Sequence, residues 1–403
     1  MNVRILRPRR AAPADAVRPT RAEINLAALR HNLHVVARHA RGAKIWGVLK
    51  ADGYGHGAPA VARTLERAGA DGFCVALLEE GIELREAGIN APILVMGGYY
   101  GSAHGEVLAR GLTPVVYDGA QLEAFARLVR SGDVEGPIDV HVKIDTGMAR
   151  LGVTMDELGT FADSLHQYAG ELRVRGLMTH LAQADALSAE ETREQVRLFD
   201  EATALLRTRG IVADVRHAAN SAAVLRGDVD TADARFDAVR PGIALFGVPP
   251  LLLSQDGGGN PVSDELRPVM RVRSEIVDVR EIPAGAGAGY GALWRAPAKA
   301  RIATIAMGYA DGLSRQLSNK GHVLVRGKRA PIVGAVSMDM VMIDVSAHEG
   351  VSIRDEVVVL GAQEGPLGKD AISAQEIAGH AGTIAWEVLT SISRRVPRFY
   401  REP

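Results

Sequence analysis

The stretch IWGVLKADGYGHGAPAVARTLERAGADGFCVAL (residues 45–77) carries the pattern that decides the fold. An apolar run, IWGVL, leads into a glycine-rich turn, a helical pattern over residues 58–70 and a second apolar run, FCVAL. Short apolar runs bounded by turn residues favour strands, and apolar residues spaced three and four apart favour an amphipathic helix. The stretch therefore predicts two strands joined by a crossover helix, which is the building unit of a parallel sheet.

The same unit recurs along the chain as far as residue 247. Further apolar runs are PILVM (92–96), LTPVVY (112–117), IDVHVKI (138–144), VRGLMTH (174–180), DVRHA (214–218) and ALFG (244–247), the last preceded by DAVRPGI. Helical patterns lie between most of them, for example over 193–210, and another over 26–40 precedes the first strand. Eight strands separated by helices predict an α/β fold, a parallel (β/α)8 TIM-type barrel, with a doubly wound open sheet as the alternative.

The pattern changes after about residue 255. SQDGGGNP (254–261) is typical of a linker, and the segments after it, such as VMRVRSEIVDVREI and PIVGAVSMDMVMIDV, are rich in strand-forming residues. They predict a mostly antiparallel C-terminal β domain with one helix, over 371–382. The expected organisation is a flexible tail (1–20), a barrel (21–255) and a β domain (256–403).

Composition excludes several classes of protein. The 47 basic and 48 acidic residues leave a net charge of −1, so a global basic field for nucleic acid is absent. Cys74 is the only cysteine, which excludes a disulfide framework or a zinc cluster, and its apolar surroundings predict a buried core residue. We expect no bound metal ion.

No apolar run is long enough for a membrane-spanning helix, which needs about 18 residues. Arg9 and Arg10 are adjacent, as in a twin-arginine signal, but the AAPADAV that follows is too polar for the core of a signal peptide. We therefore expect a cytoplasmic protein without a membrane partner.

Lys50 stands at the end of the first predicted strand. Active sites of barrels lie at the carboxyl ends of the strands, and a lysine emerging from an apolar strand is poorly solvated. Its pKa should fall, which suits a covalent nucleophile or a general base. The alternative is a surface lysine that starts a loop, and position alone favours that alternative.

Other predicted strands end in polar residues as well. The fifth strand ends in KIDTGMARLG, which supplies Lys143, Asp145 and Arg150, and His180 ends the sixth. Asn220 and Ser221 open a helix after the seventh strand, and Arg240, Gly242 and Ile243 mark the eighth region. The loops after strands seven and eight often hold phosphate in barrels. A lysine, arginines, a histidine and a phosphate cradle at one barrel mouth suggest pyridoxal phosphate as the cofactor.

VLKADGYGHGA (48–58) resembles the pyridoxal phosphate attachment motif of the alanine racemase family. The resemblance covers almost the whole chain after residue 20. Further segments resemble the family in family order: RAEINLAALRHN (21–32), KIDTGMARLGV (143–153), MTHLAQAD (178–185), HAANSAA (217–223), VRPGIALFG (239–247), GAGYGALW (287–294), MGYADGLSR (307–315), VSMDM (336–340) and ISRRVPRFY (392–400).

The resemblance implies a homodimer that racemises alanine and supplies D-alanine for peptidoglycan precursors. It implies that Lys50 holds the cofactor covalently and moves the α-proton on one face, and that Tyr290 of the β domain, donated by the partner subunit, is the base on the other face. The remaining implied roles are cofactor binding for Tyr54, His180, Asn220, Ser221, Arg240, Gly242 and Ile243; substrate binding for Arg150, Met338 and Asp339; possible carbamylation for Lys143; and a place at the entrance for Asp185, Tyr309, Arg315 and Trp386.

Within this resemblance, Arg240 faces the pyridine nitrogen of the cofactor and His180 supports it. Guanidinium rarely loses its proton, so Arg240 would keep that nitrogen unprotonated and suppress side reactions. A fold-related decarboxylase is expected to place an acidic residue there instead. A nicotinamide oxidoreductase could read GAGYGA (287–292) as a dinucleotide fingerprint, but strand-like sequence rather than a helix follows it.

The chain departs from the family pattern at three positions. Trp386 stands where a tyrosine is usual, Ala335 where arginine is frequent, and Ala149 where glycine is usual. The first two lie near the expected entrance, so a racemase that prefers serine or another amino acid stays an alternative, as does a non-catalytic protein that binds pyridoxal phosphate. Because Met338 and Tyr290 are retained, we expect alanine to be the best substrate.

Overall fold

The computed structural model describes residues 17–101, 103–186, 188–226, 236–250 and 264–402. The described chain divides into two compact units. The barrel unit contains residues 28–53 and 58–267, and the β unit contains the residues up to 27, 54–57 and those from 268 onward. The predicted linker 254–261 lies outside the described residues, as do residues 1–16 of the predicted tail.

The barrel unit is built on eight parallel strands in the order β8-β7-β6-β5-β4-β3-β2-β9. Their bounds, counting a first strand β1 (Arg21–Asn25) that belongs to the β unit, are β2 (Lys44–Val48), β3 (Gly72–Leu77), β4 (Ile93–Gly98), β5 (Thr113–Val116), β6 (Ile138–Lys143), β7 (Leu172–Met178), β8 (Val215–His217) and β9 (Ala238–Val239).

Backbone hydrogen bonds close the sheet on itself. The Asp237 N–H donates to Arg216 O at 2.9 Å, and the Arg240 N–H donates to Ala219 O at 2.8 Å. These bonds join the segment that contains β9 to the segment that contains β8, so the last strand meets its neighbours on both sides. The predicted (β/α)8 barrel is confirmed, and the open sheet is excluded.

Helices follow most of the barrel strands. They are α1 (Leu26–His39), α2 (Lys50–Tyr54), α3 (Ala58–Arg67), α4 (Leu78–Glu86), α5 (His104–Ala109), α6 (Gly119–Arg130), α7 (Leu158–Gln167), α8 (Glu190–Thr208) and α9 (Ser221–Arg226). Along α8, Val196, Phe199, Ala202 and Leu206 are buried on one face, as the 3.6-residue period requires. Cys74 on β3 is fully buried, as predicted, and burial raises the pKa of its thiol to about 12.

One predicted strand is wrong. Within ALFG (244–247), Ile243–Phe246 form a 3-10 helix that ends at Gly247 with φ 78°. The eighth strand lies earlier, in the preceding DAVR. A short apolar run cannot be told from a buried helical turn by its periodicity, because both bury every residue.

The β unit holds a nine-stranded, mostly antiparallel sheet, as predicted. Its main path runs β15-β14-β17-β10-β1-β19, with β13 paired to β10 and β16, and β18 paired to β17. Besides β1, the strands of this sheet are β10 (Met270–Ile282), β13 (Ala300–Ile305), β14 (His322–Val325), β15 (Lys328–Pro331), β16 (Val341–Asp344), β17 (Glu356–Gly365), β18 (Gly368–Ile372) and β19 (Arg398–Arg401). A separate two-stranded sheet pairs β11 (Gly287–Ala288) with β12 (Trp294–Arg295), and the helices of the unit are α10 (Ala374–Ala381) and α11 (Ala385–Ser391).

The first strand, β1, belongs to the β unit, whereas the barrel was predicted to begin at residue 21. β1 pairs antiparallel with β10 and parallel with β19, so residues 21–25 complete the sheet of the β unit. Its central residues, Ala22, Glu23 and Ile24, are buried. Strand pairing between segments more than 200 residues apart leaves no local signal in the sequence. In the described part of the chain, no helix is long and apolar enough to cross a membrane.

Candidate active site

Lys50 begins a turn with an uncommon backbone. Ala51, Asp52, Gly53 and Tyr54, which follow it directly, all have φ between 52° and 60°. A left-handed turn costs about 1–2 kcal/mol for each residue other than glycine. Three of these four residues carry a side chain, so the turn persists only because its surroundings hold it.

Glu80 on α4 supplies part of that support. One of its carboxylate oxygens accepts the Ala51 N–H at 2.6 Å, and the other accepts the N–H groups of Ala76 and Leu77 at 2.8 and 3.0 Å. The carboxylate thereby ties the turn after Lys50 to the end of β3. Sequence analysis missed Glu80, which lies 30 residues after Lys50 in an ordinary helical pattern.

Four cationic side chains gather at this mouth of the barrel. Burial lowers the pKa of Lys50, and the charge of Arg150 lowers it further, whereas Glu80 raises it. Burial, followed by the charges of Arg150 and Arg240, lowers the pKa of Lys143 to about 8. The structure therefore brings these predicted residues together. Among the described residues, Lys50, Lys143 and Arg150 have no carboxylate as an ion-pair partner.

Arg240 is buried, and both terminal nitrogens of its guanidinium donate hydrogen bonds. Its guanidinium donates to Nδ1 and the carbonyl of His217, both at 2.7 Å, and to the Thr179 carbonyl at 2.6 Å. His217 Nε2 lies 2.8 Å from Nδ1 of His141. Burial lowers the pKa of Arg240 to about 10.

The histidine bonded to Arg240 is thus His217, whereas the expected partner was His180. The neighbouring strands β7 and β8 end near His180 and at His217, respectively. Only the register of the strands decides which of the two rings points toward Arg240. Burial and the charges of Arg240 and Arg150 lower the pKa of His180 to about 3, so His180 is a neutral neighbour of the cluster. Sequence analysis missed His217 and His141, although a polar residue within a buried strand is a usable signal.

Asn220, Ser221, Gly242 and Ile243 form a second cluster. Ser221 Oγ accepts the Gly242 N–H at 2.9 Å, and Asn220 Oδ1 accepts the N–H groups of Ala222 and Ala223, each at 3.1 Å. In the described ranges, the backbone N–H groups of Ser221 and Ile243 have no acceptor. Both residues are buried, and a buried N–H without an acceptor is uncommon in folded proteins.

Arg150 extends from a loop that Asp145 organises. Asp145 Oδ1 accepts the N–H groups of Gly147, Met148 and Ala149 at 2.9–3.2 Å. Ala149 has φ 54°, a conformation that favours glycine. Alanine at this position therefore adopts a left-handed conformation at the cost of local strain. Arg150 is exposed, and so is the predicted entrance residue Asp185.

The other predicted residues lie in the β unit. Tyr290 starts a 3-10 turn between β11 and β12 and is 76% exposed in the single chain. Met338, Asp339, Tyr309 and Arg315 are also exposed, and Trp386 on α11 is half-buried. Ala335 is buried, and its nitrogen lies 3.6 Å from the point that a Cβ on Gly289 would occupy. GAGYGA (287–292) contains β11 and the 3-10 turn, and a strand rather than a helix follows it, which does not fit a dinucleotide fingerprint.

Tyr54 is buried and belongs to the β unit with residues 55–57. Gly55 has φ 79°, and a Cβ there would lie 2.3 Å from Leu389 O. Arg398, which is 7% exposed, donates to Gly55 O from Nε at 3.0 Å and Nη2 at 2.8 Å. This contact was not predicted, although Arg398 lies in one of the segments that resemble the family.

Comparison with protein families identifies both parts of the chain. Residues 24–250 match the model of the alanine racemase N-terminal domain, and residues 269–400 match that of the alanine racemase C-terminal domain. The chain belongs to the alanine racemase family.

An alanine racemase of Sorangium cellulosum is 58% identical over 96% of this chain and 100% of its own length. One of Geobacter sulfurreducens is 41% identical over 96% and 98%. The alanine racemase structure from Streptomyces coelicolor superposes with a TM-score of 0.86 at 35% identity, covering 96% and 99% of the two chains. The structure from Bartonella henselae, with covalently bound pyridoxal phosphate, has a TM-score of 0.82 at 28% identity, covering 95% and 99%.

Proposed function

We propose that this chain interconverts L-alanine and D-alanine with pyridoxal phosphate as cofactor. The carrying observation is the cluster of Lys50, Lys143, Arg150 and Arg240 at the barrel mouth, which holds more positive charge than nearby carboxylates balance. Positive charges that lie close together repel one another and lower the pKa of each cationic group. A ligand with several negative charges would offset this repulsion and therefore suits the cluster. Family membership and the 58% identical relative support the same activity.

The residues present fit the cofactor. The N–H groups of Ser221 and Ile243, which lack acceptors in the described chain, and the Ser221 hydroxyl would receive the phosphate. Lys50 Nζ would form the covalent link, and Arg240 would donate to the pyridine nitrogen. When bound, pyridoxal phosphate supplies the electron sink that makes the α-proton of an amino acid removable.

Two bases are needed, because racemisation removes a proton on one face and returns it on the other. Lys50 Nζ is one, since its lowered pKa increases the fraction of neutral amine. We assign it to the α-proton of the D-enantiomer. Tyr290 Oη is the other, contributed by the partner subunit of a homodimer. The high exposure of Tyr290 in the single chain supports this, because a catalytic side chain needs a protein environment to orient it.

Lys143 is proposed to carry a carbamate. The reaction joins the neutral amine to CO2 and releases a proton, and a pKa of about 8 provides neutral amine near physiological pH. The product is an anion beside Arg150, which it would orient toward the substrate carboxylate. At fixed dissolved CO2, a ¹³C carbonyl signal from labelled CO2 should grow as the pH rises toward 8 and be absent in Lys143→Met.

The decisive experiment mixes two inactive variants, Lys50→Ala and Tyr290→Ala, under conditions that allow subunit exchange. Half of the dimers become mixed, and one of the two sites in each has both bases. About a quarter of the wild-type rate should return, measured by chiral chromatography of L-alanine. No recovery, with exchange verified by mass, contradicts the two-chain site.

The matched control mixes wild type with the double variant Lys50→Ala/Tyr290→Ala. Exchange should now lower the activity about twofold, because the mixed dimers contain no complete site. A panel of L-amino acids tests the substrate. Faster turnover of serine or a larger amino acid contradicts the alanine assignment, and an unchanged enantiomer ratio for every amino acid would indicate a non-catalytic cofactor-binding protein.

A further inference from the structure

The segment before the family match contains a buried contact. The family model begins at residue 24, and residues up to 20 were expected to form a flexible tail. Arg18 nevertheless donates to both oxygens of Asp311, from Nη2 to Oδ1 at 2.7 Å and from Nη1 to Oδ2 at 3.3 Å. Two parallel contacts between a guanidinium and a carboxylate give a defined geometry.

The chain around Arg18 is held in place. Thr20 is fully buried, with its hydroxyl 2.8 Å from that of Ser274 and bonded to the carbonyl of Ala306. The Ala22 N–H donates to Pro397 O at 3.0 Å. Residues 18–22 are therefore a docked part of the β unit, and the backbone brings Arg18 to Asp311 at low entropic cost.

Asp311 is fully buried and lies at the centre of a charge network. Besides Arg18, Arg395 Nε lies 3.0 Å from Oδ1, and the Gly308 N–H donates to Oδ2 at 3.1 Å. A buried carboxylate is costly unless it is paired and hydrogen-bonded. Removing Arg18 would leave Arg395 and Gly308 as partners, so the fold should survive while the carboxylate loses one of its two cations.

Two loops depend on this network, and we call them the entrance loops: residues 308–311 and 337–340. The N–H groups of Tyr309 and Ala310 donate to the carbonyls of Ser337 and Met338, both at 3.0 Å. Arg395 Nη2 also donates to Asp339 Oδ1 at 2.6 Å. Asp311 and Arg395 thus connect the two loops to one another and to Arg18.

We propose that Arg18 is a positioning residue for substrate binding, acting through Asp311 on the entrance loops. The proposal rests on the proposed function and on the family resemblance, which implies substrate binding for Met338 and Asp339 and a place at the entrance for Tyr309. Arg18 touches none of these three side chains in the described contacts. Its effect is to hold the loops in the arrangement that accepts a small amino acid.

The test compares holoenzyme variants Arg18→Ala and Arg18→Lys with Arg280→Ala. Arg280 is the matched control because it is an exposed arginine of the same unit, and its partner Asp278 keeps 39% of its side chain exposed, whereas Asp311 is fully buried. Arg18→Ala should raise the KM for L-alanine about three- to tenfold, with kcat within about twofold of the wild-type value. Loops that are held less firmly would bind the substrate and the transition state more weakly by the same amount, which changes KM and leaves kcat almost unchanged. The KM of Arg18→Lys should lie between those of wild type and Arg18→Ala, because the lysine ammonium is a point charge and cannot form the two parallel contacts of a guanidinium.

A second readout does not depend on activity. Hydrogen exchange of the Tyr309 and Ala310 amides should be faster in Arg18→Ala than in wild type or Arg280→Ala. In a double-mutant cycle, Arg18→Ala should add nothing to Asp311→Asn, as expected when one residue acts through the other. Faster exchange with unchanged KM overturns the positioning role, and unchanged exchange overturns the Arg18–Asp311 contact. Loss of the proposed function would appear differently, as absent racemisation in wild type.

Discussion

Arg240 sets the tautomer of two buried histidines. Its Nη1 lies 2.7 Å from His217 Nδ1, and because guanidinium can only donate, that nitrogen accepts. The proton of the His217 ring is therefore on Nε2, from which it donates to His141 Nδ1 at 2.8 Å. Trp46 packs against both rings, with centroid distances of 5.3 Å to His141 and 5.1 Å to His217. The arrangement keeps Arg240 in one position.

Replacing His217 by leucine should release that constraint. Arg240 would keep its carbonyl acceptors but lose the ring nitrogen, and hydrogen bonds to charged groups contribute about 1.5–3 kcal/mol. We expect His217→Leu to lower the free energy of unfolding by about that amount and to reduce kcat/KM. Urea unfolding of the apoprotein and racemisation kinetics measure the two effects. His166→Leu, at an exposed position on α7, should change neither; equal loss in both variants would contradict the role of His217.

Acid should destabilise the apoprotein well above the pH at which its carboxylates titrate. Burial lowers the pKa of His141 to about 4 and of His180 to about 3, and it holds the pKa of His217 well below its ordinary value. Unfolded histidine has a pKa of about 6.5, so below that pH the unfolded chain binds more protons and stability falls. The loss between pH 7 and pH 5 should be roughly 1–2 kcal/mol per histidine.

Urea unfolding at pH 7 and pH 5 measures this loss. Replacing His141 by asparagine should reduce the dependence on pH by about one proton, which is about 1.4 kcal/mol per pH unit in the affected range. The His141→Asn protein will itself be less stable, so the slope and not the absolute value is the diagnostic quantity. An unchanged slope would show that His141 is protonated in the folded protein.

Alanine substitutions at Gly55 and Gly42 should distinguish the effect of a steric clash from that of backbone strain. Both have positive φ, 79° and 91°, but a Cβ on Gly55 would meet Leu389 O at 2.3 Å, whereas a Cβ on Gly42 would meet nothing within 4 Å. Gly42→Ala should cost about 1–2 kcal/mol of unfolding free energy through strain alone. Gly55→Ala should cost more than about 3 kcal/mol, because backbone must move. Similar unfolding midpoints for the two variants would contradict the close approach of Gly55 to α11.

Trp386 should affect the choice between alanine and serine. Indole carries only an N–H donor on a bulky ring, whereas a tyrosine hydroxyl donates from a different position. Pocket changes of about one methylene alter discrimination about 10–200-fold, so wild type should show secondary activity on serine. Trp386→Tyr should raise the alanine-to-serine ratio of kcat/KM and tighten cofactor binding, measured by titration of the apoprotein. Trp386→Phe, which lacks a donor, should not tighten cofactor binding; if it does so equally, ring size rather than the hydroxyl is responsible.

Alternation of apolar runs and helical patterns was sufficient to predict the barrel and the β domain. The carboxyl ends of parallel strands lie at one mouth of a barrel, so Lys50, Lys143 and Arg240 could be grouped from their positions alone. The prediction failed at ALFG, where four buried apolar residues form a 3-10 helix. Local patterns report which residues are buried, and a short buried turn and a short buried strand share that pattern.

The sequence by itself therefore determined the succession of elements, the barrel and the set of residues at its mouth, because each follows from local periodicity and from the direction of the strands. Only the tertiary structure decided that β1 joins the sheet of the β unit, that His217 rather than His180 bonds Arg240, and that Arg18 reaches Asp311. Arg240 and His217 are 23 positions apart, and Arg18 and Asp311 are 293 positions apart. Partners so distant are chosen by strand register and side-chain direction in the folded chain, and neither quantity is written in any local stretch of residues.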